Sequence, residues 1–316
     1  MSQPLIVLTG AAGRLGAPVH RTLLEAGQNV RATDRVRTRQ HDLPLIKANL
    51  LNPSVRRRLL QDAQVLVHLG YRREPYGYPE GYPYRTFDDH VRMNRQIFLS
   101  ACEAGVKKII FSSSIQVVAR QLPGVSASQP PRYLPLDENS PVEPDNWYSL
   151  AKRCTEEMLA MLRRRYGVDY VILRFPVLSN TVPVTHPELY DGRLSEGFSY
   201  LSYLDAANLI LKVIEADLPG GRTYLPASPH NTLGRPVAEM LRDYYAEIPL
   251  RKPASEMESL VDISALKRDI GWEPLGLSQP EVAPYTAMVW RIYRRVNRLV
   301  PKPLKPFVER VLSLFE

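Results

Sequence analysis

A phenol and an ammonium group stand one helical turn apart in Tyr148-Ser149-Leu150-Ala151-Lys152, so a helix through this segment presents both on one face. A phenol with its ordinary pKa near ~10 is a poor base at neutral pH, whereas a fixed ammonium beside it stabilises the phenolate. The pair can therefore exchange a proton with a substrate hydroxyl. The same spacing also occurs on solvated helix faces, so position has to distinguish the two readings. Here the helix follows a strand ending in Phe111-Ser112-Ser113-Ser114, which carries hydroxyls to the same sheet edge.

A second cluster lies near the start of the chain. Thr9-Gly10-Ala11-Ala12-Gly13-Arg14-Leu15-Gly16 follows the apolar run Leu5-Ile6-Val7-Leu8 and opens a helix. Gly10 can make the tight turn, Gly13 removes a Cβ that would block a pyrophosphate, and Gly16 allows close helix–strand packing. The N–H groups beginning at Arg14 and Leu15 then face the phosphates with the positive end of the helix dipole. Asp34 falls about 20 residues further on, where a carboxylate can accept from adenosine ribose hydroxyls and repel a 2′-phosphate. This pattern predicts NAD as cofactor. Arg35, Arg37 and Arg39 keep NADP open, because a guanidinium beside the ribose can pair with the extra phosphate.

Positioning these groups requires alternating strands and helices. Short β-branched runs at 5–8, 29–33, 64–69, 109–111 and 170–173 alternate with helical patterns at 15–26, 53–60, 88–104 and 148–166. Strands without in–out alternation, each followed by a helix, predict an α/β, doubly wound parallel sheet of the Rossmann type. Two segments break the pattern. Residues 71–86 are crowded with Tyr, Pro and Gly, and 120–146 with Pro and polar residues, so neither is expected to be a buried element. Beyond residue 174 the alternation weakens, with helices expected at 204–216, 235–246 and 264–270. The expected organisation is a dinucleotide-binding domain at 1–175, a small mixed substrate lobe at 176–284 and a basic amphipathic helical tail at 285–316.

The 316 residues are 44% hydrophobic and 23% charged, which excludes wholesale disorder and a collagen-like repeat. Cys102 and Cys154 lie far apart with no Cys/His cluster, so no metal site is expected and a reducing, cytoplasmic setting fits. The opening residues lack the charged region of a signal peptide, and no run of 18 apolar residues occurs. The net charge is +8, yet seven basic residues against two acids fall in 285–316. With no RNP signature or zinc-finger spacing, a nucleic-acid partner is not expected. The tail can lie peripherally on an anionic membrane, pack on its own subunit or meet a homodimer mate.

In TGAAGRLG at 9–16, Asp34, VHLG at 67–70, Asn94, GVKKIIFSSS at 105–114, YSLAK at 148–152, RFPV at 174–177, YLDAANLI at 203–210 and DISALKRDIGWEP at 262–274, the chain resembles the extended short-chain dehydrogenase/reductase family, in its NAD-dependent epimerase/dehydratase group. The resemblance implies Tyr148 as general acid/base and Lys152 as the group that binds the nicotinamide ribose and lowers the tyrosine pKa. It implies Ser114 as hydrogen-bond partner of the reacting oxygen and Asn94 as keeper of the adjoining helix and water geometry. It also implies Leu50 and Leu69 about the adenine and ribose, Gly70 approaching the cofactor backbone, and Pro176 to Leu178 bordering the nicotinamide. Some similarity to uronate and related sugar dehydrogenases is visible in the opening segment and in VHLG.

Departures narrow the reading. Asn49 replaces an acidic residue near the adenine, keeping only a polar contact. Ile115-Gln116 stands where sugar dehydratases carry Asp-Glu, which disfavours dehydration. Val118-Ala119 and Leu178-Ser179-Asn180 also differ from the epimerase pattern, so a nucleotide-sugar pocket would need Arg193, Arg222 or Arg235 for its second pyrophosphate. His68 reads as structural, and His41, His90, His186 and His230 lack metal-like spacing. The tyrosines of 71–84 read equally as a lid and as a packed surface loop. Together these imply an NAD(P)-dependent oxidoreductase or epimerase acting on a sugar-like or nucleotide-sugar molecule. The rivals are a non-catalytic NAD(P)H sensor and a membrane-associated assembly factor.

Overall fold

The computed structural model describes residues 3–36, 42–71, 83–121, 128–180 and 191–275. Seven parallel strands form its main sheet: β1 (Leu5–Thr9), β2 (Asn29–Asp34), β3 (Ile46–Lys47), β4 (Val65–His68), β5 (Lys108–Ser114), β6 (Asp169–Phe175) and β7 (Gly221–Tyr224). Their spatial order is β7-β6-β5-β4-β1-β2-β3. The chain thus winds outward from β1 in one direction and from β4 in the other. The crevice between β1 and β4, where the winding reverses, is where ligands of such sheets bind.

Seven helices accompany the strands among the described residues: α1 (Gly16–Glu25), α2 (Pro53–Leu60), α3 (Pro83–Glu103), α4 (Trp147–Tyr166), α5 (Tyr203–Glu215), α6 (Val237–Tyr244) and α7 (Ser264–Ile270). The strand period of two divides the apolar side chains between two faces. Ile6, Leu8, Val67, Ile110 and Leu173 pack with Val19 and Leu23 of α1 and Leu209 and Val213 of α5. Val7, Leu66, Ile109 and Ile172 pack with Ile97 and Phe98 of α3 and Leu159 of α4. Side chains from the strands also close helix ends. Lys108 donates to the carbonyls of Val213, Ile214 and Ala216 at the end of α5, and Arg31 donates to those of Arg58, Leu59 and Gln61 at the end of α2.

Two expectations need correction. Pro83 to Thr86 lie in α3 rather than in an irregular insertion, because Pro is well suited to a first helical turn. The stretch 120–146 is not wholly superficial: Leu134 and Leu136 are buried in a third core with Ile115, Val117, Phe198, Met240 and Leu260. Irregular backbone can be buried there because its polar groups are paired. Leu134 N–H donates to Pro249 C=O, Leu136 N–H to Leu260 C=O, and Asp262 N–H to Leu136 C=O. This third core, under α6 and the segments around it, faces the carboxyl edge of the sheet through Ile115 and Val117, which directly follow β5.

Candidate active site

The glycine turn sits at the crevice between β1 and β4. Gly10 has φ +73°, and a Cβ there would lie 2.7 Å from Gly70 N and from Leu69 C, so turn and strand end touch backbone to backbone. Gly16 is equally constrained, since its Cβ would fall 1.9 Å from Gly10 O. Gly13 differs. It meets only Gly10 O, at 3.1 Å, and is exposed on its other side together with Arg14. Leu15, at the start of α1, is half-buried; α1 has no side-chain cap and no acid in its first turn, and since Ala17 N–H is taken by Gly13 C=O and Pro18 has none, the N–H groups of Arg14, Leu15 and Gly16 are those left to suit an anion.

Asp34 ends β2 and braces this turn: its carboxylate accepts from Ala12 N–H at 3.0 Å and Val36 N–H at 3.3 Å. Each oxygen keeps a lone pair for a further donor. Arg35 is exposed beside it, whereas Arg37, Arg39 and His41 lie outside the described residues. On the same rim Asn49 is exposed, and Leu50 is half-buried with its carbonyl held by Arg56 at 2.7 Å. Half-buried Leu69 donates its N–H to Thr9 C=O, and Pro176 is buried just past β6. The phosphate cradle, the carboxylate at the end of β2 and this apolar rim fit a dinucleotide.

The second group sits at the carboxyl ends of β5 and β6. Asn146 caps α4 in a reciprocal box with Ser149, which places Tyr148 in the first turn. The Ser114 hydroxyl is near enough to Tyr148 to act on its phenol, and Lys152 Nζ lies 5.6 Å from the centre of the phenol ring. Burial raises the Tyr148 pKa, the Ser114 hydroxyl opposes that rise, and the buried Glu196 carboxylate adds to it. Lys152 donates to Ser112 C=O at 2.6 Å, and burial lowers its pKa to about 8, with Glu156 acting the other way. An ammonium therefore persists at neutral pH close to a phenol that holds its proton.

Glu156 was not apparent in the sequence. It stands one turn beyond Lys152, buried in a bidentate pair with Arg174 of β6 at 2.9 and 3.1 Å, and accepts from Ser113 Oγ at 2.6 Å. Three consecutive serines thus meet three successive turns of α4: Ser114 at Tyr148, Ser112 through its carbonyl at Lys152, and Ser113 at Glu156.

Asn94 is buried in α3 and bonds His68 and Thr155. His68, expected to be structural, is fully buried between Thr9 Oγ1 at 2.7 Å and Asn94 Oδ1 at 3.0 Å. Burial lowers its pKa to about 4, so the ring is neutral. Tyr71 packs edge-on against both Tyr148, at 5.4 Å, and His90, at 4.1 Å. The rest of the aromatic insertion up to residue 82, His186 and the tail 276–316 lie outside the described residues.

Of the arginines considered for a second pyrophosphate, Arg235 is paired with Glu239 and Asp243. Arg222 is on the outermost strand, registered against Val171, and lines a separate cavity of about 460 Å³ with Glu138, Asn139, Arg268 and Asp269. This cavity is four strands from the glycine turn. The Arg193 side chain is outside the described set. No group of His, Cys, Asp or Glu among the described residues is placed to hold a metal ion, and none of their helices is long and apolar enough to cross a membrane.

Fold and side chains define a doubly wound α/β protein with a phosphate-type glycine turn at its switch point and a Tyr–Lys–Ser cluster beside it. The chain belongs to the NAD dependent epimerase/dehydratase family, whose profile matches residues 6–183. It is 25% identical over 206 residues to a UDP-glucose 4-epimerase of Halalkalibacterium halodurans, covering 63% of this chain and 56% of that one. It is also 25% identical over 217 residues to a uronate dehydrogenase of Pseudomonas syringae pv. tomato, covering 66% and 69%. The chain spans about half the length of the epimerase relatives it matches. In fold it is similar to a short-chain dehydrogenase/reductase superfamily protein of Agrobacterium tumefaciens solved with bound NAD, with TM-score 0.66 and 20% identity over 93% of this chain and 99% of that one.

Proposed function

We propose that this protein is an NAD-dependent oxidoreductase or epimerase acting at a hydroxyl-bearing carbon of a sugar-like molecule. The observation that carries the reading is the convergence of Tyr148, Lys152 and Ser114 at the carboxyl edge of a sheet whose switch point holds the glycine turn. NAD, when bound, supplies hydride acceptance and donation at its nicotinamide ring. Gly10, Gly13, Gly16 and the N–H groups at Arg14 and Leu15 would hold its phosphates. Asp34 would take the adenosine ribose, with Arg35 at its border. Asn49, Leu50, Leu69 and Gly70 would line the adenine side, and Pro176 the nicotinamide.

Tyr148 would move the proton. Burial, which raises its pKa, favours the protonated phenol, and in that form it would donate to a carbonyl oxygen. Oxidation runs the step backwards, with the phenolate held by Lys152 and the substrate hydroxyl oriented by Ser114. Asn94 would act at one remove, through the residues it bonds. The ion pairing of Arg235 and the remote place of Arg222 favour a free sugar acid or polyol over a nucleotide sugar.

The test is absorbance at 340 nm with the full chain, NAD and either galacturonate or glucuronate; the epimerase arm uses UDP-glucose and chromatography of the UDP-galactose formed, because epimerisation returns the hydride and leaves no net NADH. Tyr148→Phe is expected to lose at least about a hundredfold in turnover, the scale of one acid/base group, while NADH affinity stays within about twofold. Turnover that survives the substitution overturns the role of Tyr148. NADH binding by the unaltered chain with no turnover on any arm favours the sensor reading.

A further inference from the structure

We propose that Thr9, His68 and Thr155 are positioning residues that, through Asn94, tie the glycine turn to Lys152 by a single proton-ordered chain. This inference rests on the dinucleotide reading above. The four side chains come from β1, β4, α3 and α4, and all are buried. Their order can be deduced from the α4 end. Thr155 Oγ1 lies 2.7 Å from Ala151 C=O, which only accepts, so the single hydroxyl proton of Thr155 is on that bond. Thr155 Oγ1 must then accept at 2.9 Å from Asn94 Nδ2, which turns Asn94 Oδ1 toward His68. His68 Nε2, 3.0 Å away, therefore carries the ring proton. Its Nδ1 is left bare and accepts from Thr9 Oγ1 at 2.7 Å. One neutral tautomer satisfies every member.

Both ends of the chain abut groups already placed at the cofactor. Thr9 immediately precedes Gly10, and Ala151 immediately precedes Lys152. Between them His68 is wedged against Phe98 at 5.3 Å and Phe111 at 6.3 Å, so the ring cannot rotate to another partner without disturbing the core. A buried network whose four bonds share one consistent donor–acceptor order rigidifies what it joins, and cutting a link leaves a buried polar partner unpaired. The glycine turn and the helix that bears Lys152 are thereby held in one relative position, although the residues that contact the cofactor at each are separate.

The experiment is titration of the full chain with NADH, followed by the fluorescence of the bound nucleotide. Thr155→Val is expected to weaken NADH about fivefold, although residue 155 sits beyond Lys152 and far along the chain from the glycine turn. Thr155→Ser, which keeps the hydroxyl, is expected to bind as the unaltered chain does. Thr9→Val is expected to cost a similar factor, and the double variant no more than the worse single one, because either break cuts the same chain. Unchanged affinity in Thr155→Val, equal weakening in Thr155→Ser, or multiplying effects in the double variant would overturn the proposal. Nitrogen-15 NMR of the unaltered chain gives a check that needs no variant to fold. His68 should carry its proton on Nε2 and its signals should move on adding NADH; a proton on Nδ1 refutes the chain. Failure of the unaltered chain to bind NADH would instead strike the dinucleotide reading.

Discussion

Protonation of His68 gives a direct measure of how firmly its environment excludes charge. Burial is the main reason its pKa falls from 6.5 to about 4, the Asn94 hydrogen bond opposes the fall, and the Lys152 ammonium adds to it. Between those two pH values the unfolded chain binds a proton at this residue and the folded chain does not, so stability must rise with pH across the window. It is complete above about pH 6.5 and is lost as pH falls toward 4. At 1.36 kcal/mol per decade the loss amounts to about 3 kcal/mol. Other groups titrate in the same range, so the useful quantity is a difference. His68→Gln keeps a donor and an acceptor in place of the two ring nitrogens but cannot titrate. Urea unfolding followed by tryptophan fluorescence, from pH 7.5 down to pH 4, gives both stability curves. The advantage of the unaltered chain over the variant should shrink by about 3 kcal/mol from the upper limit to the lower. Parallel curves would show that His68 titrates alike folded and unfolded, and would refute the reasoning.

Arg174→Met leaves buried Glu156 with only Ser113 and the half-exposed Arg153 at 3.5 Å and should cost up to about 3 kcal/mol in urea unfolding, whereas Arg174→Met with Glu156→Leu should recover most of that, because a buried ion pair is often replaceable by apolar residues but not halved. Gly16→Ala places a methyl 1.9 Å from Gly10 O; the turn has to open, with a stability cost of about 1–3 kcal/mol and loss of NADH fluorescence enhancement, and retention of full NADH affinity would show that the turn is not the phosphate site.

Much of this arrangement could be read from residue order alone because the decisive features are local. A glycine turn between a strand and a helix, and Tyr148 four residues from Lys152, announce themselves within a few positions. The helix predicted at 53–60 matches α2, since Pro53 and the apolar spacing mark it. What escaped depends on distant partners. Glu156 looks like any surface acid on a helix until Arg174, eighteen residues later, is seen on the adjoining strand. His68 read as structural, but its partners could not be named, because Thr9 and Asn94 reach it from another strand and a helix. β3, with two residues, and β7, with the polar sequence Gly221-Arg222-Thr223-Tyr224, carry too little periodicity to stand out, and only pairing with β2 and β6 defines them. Leu134 and Leu136 were hidden by their prolines, although the surrounding segments supply the hydrogen bonds that allow their burial.

Of the three serines that close β5, one is engaged through its main chain only. Lys152 reaches the carbonyl of residue 112, an atom every amino acid possesses, while residues 113 and 114 act through hydroxyls. Evolution or an engineer can therefore rewrite position 112 freely within what its half-buried surroundings accommodate, and the amine will still find its acceptor. The next two positions have no such latitude, so a stretch of identical letters conceals one interchangeable residue beside two that are not.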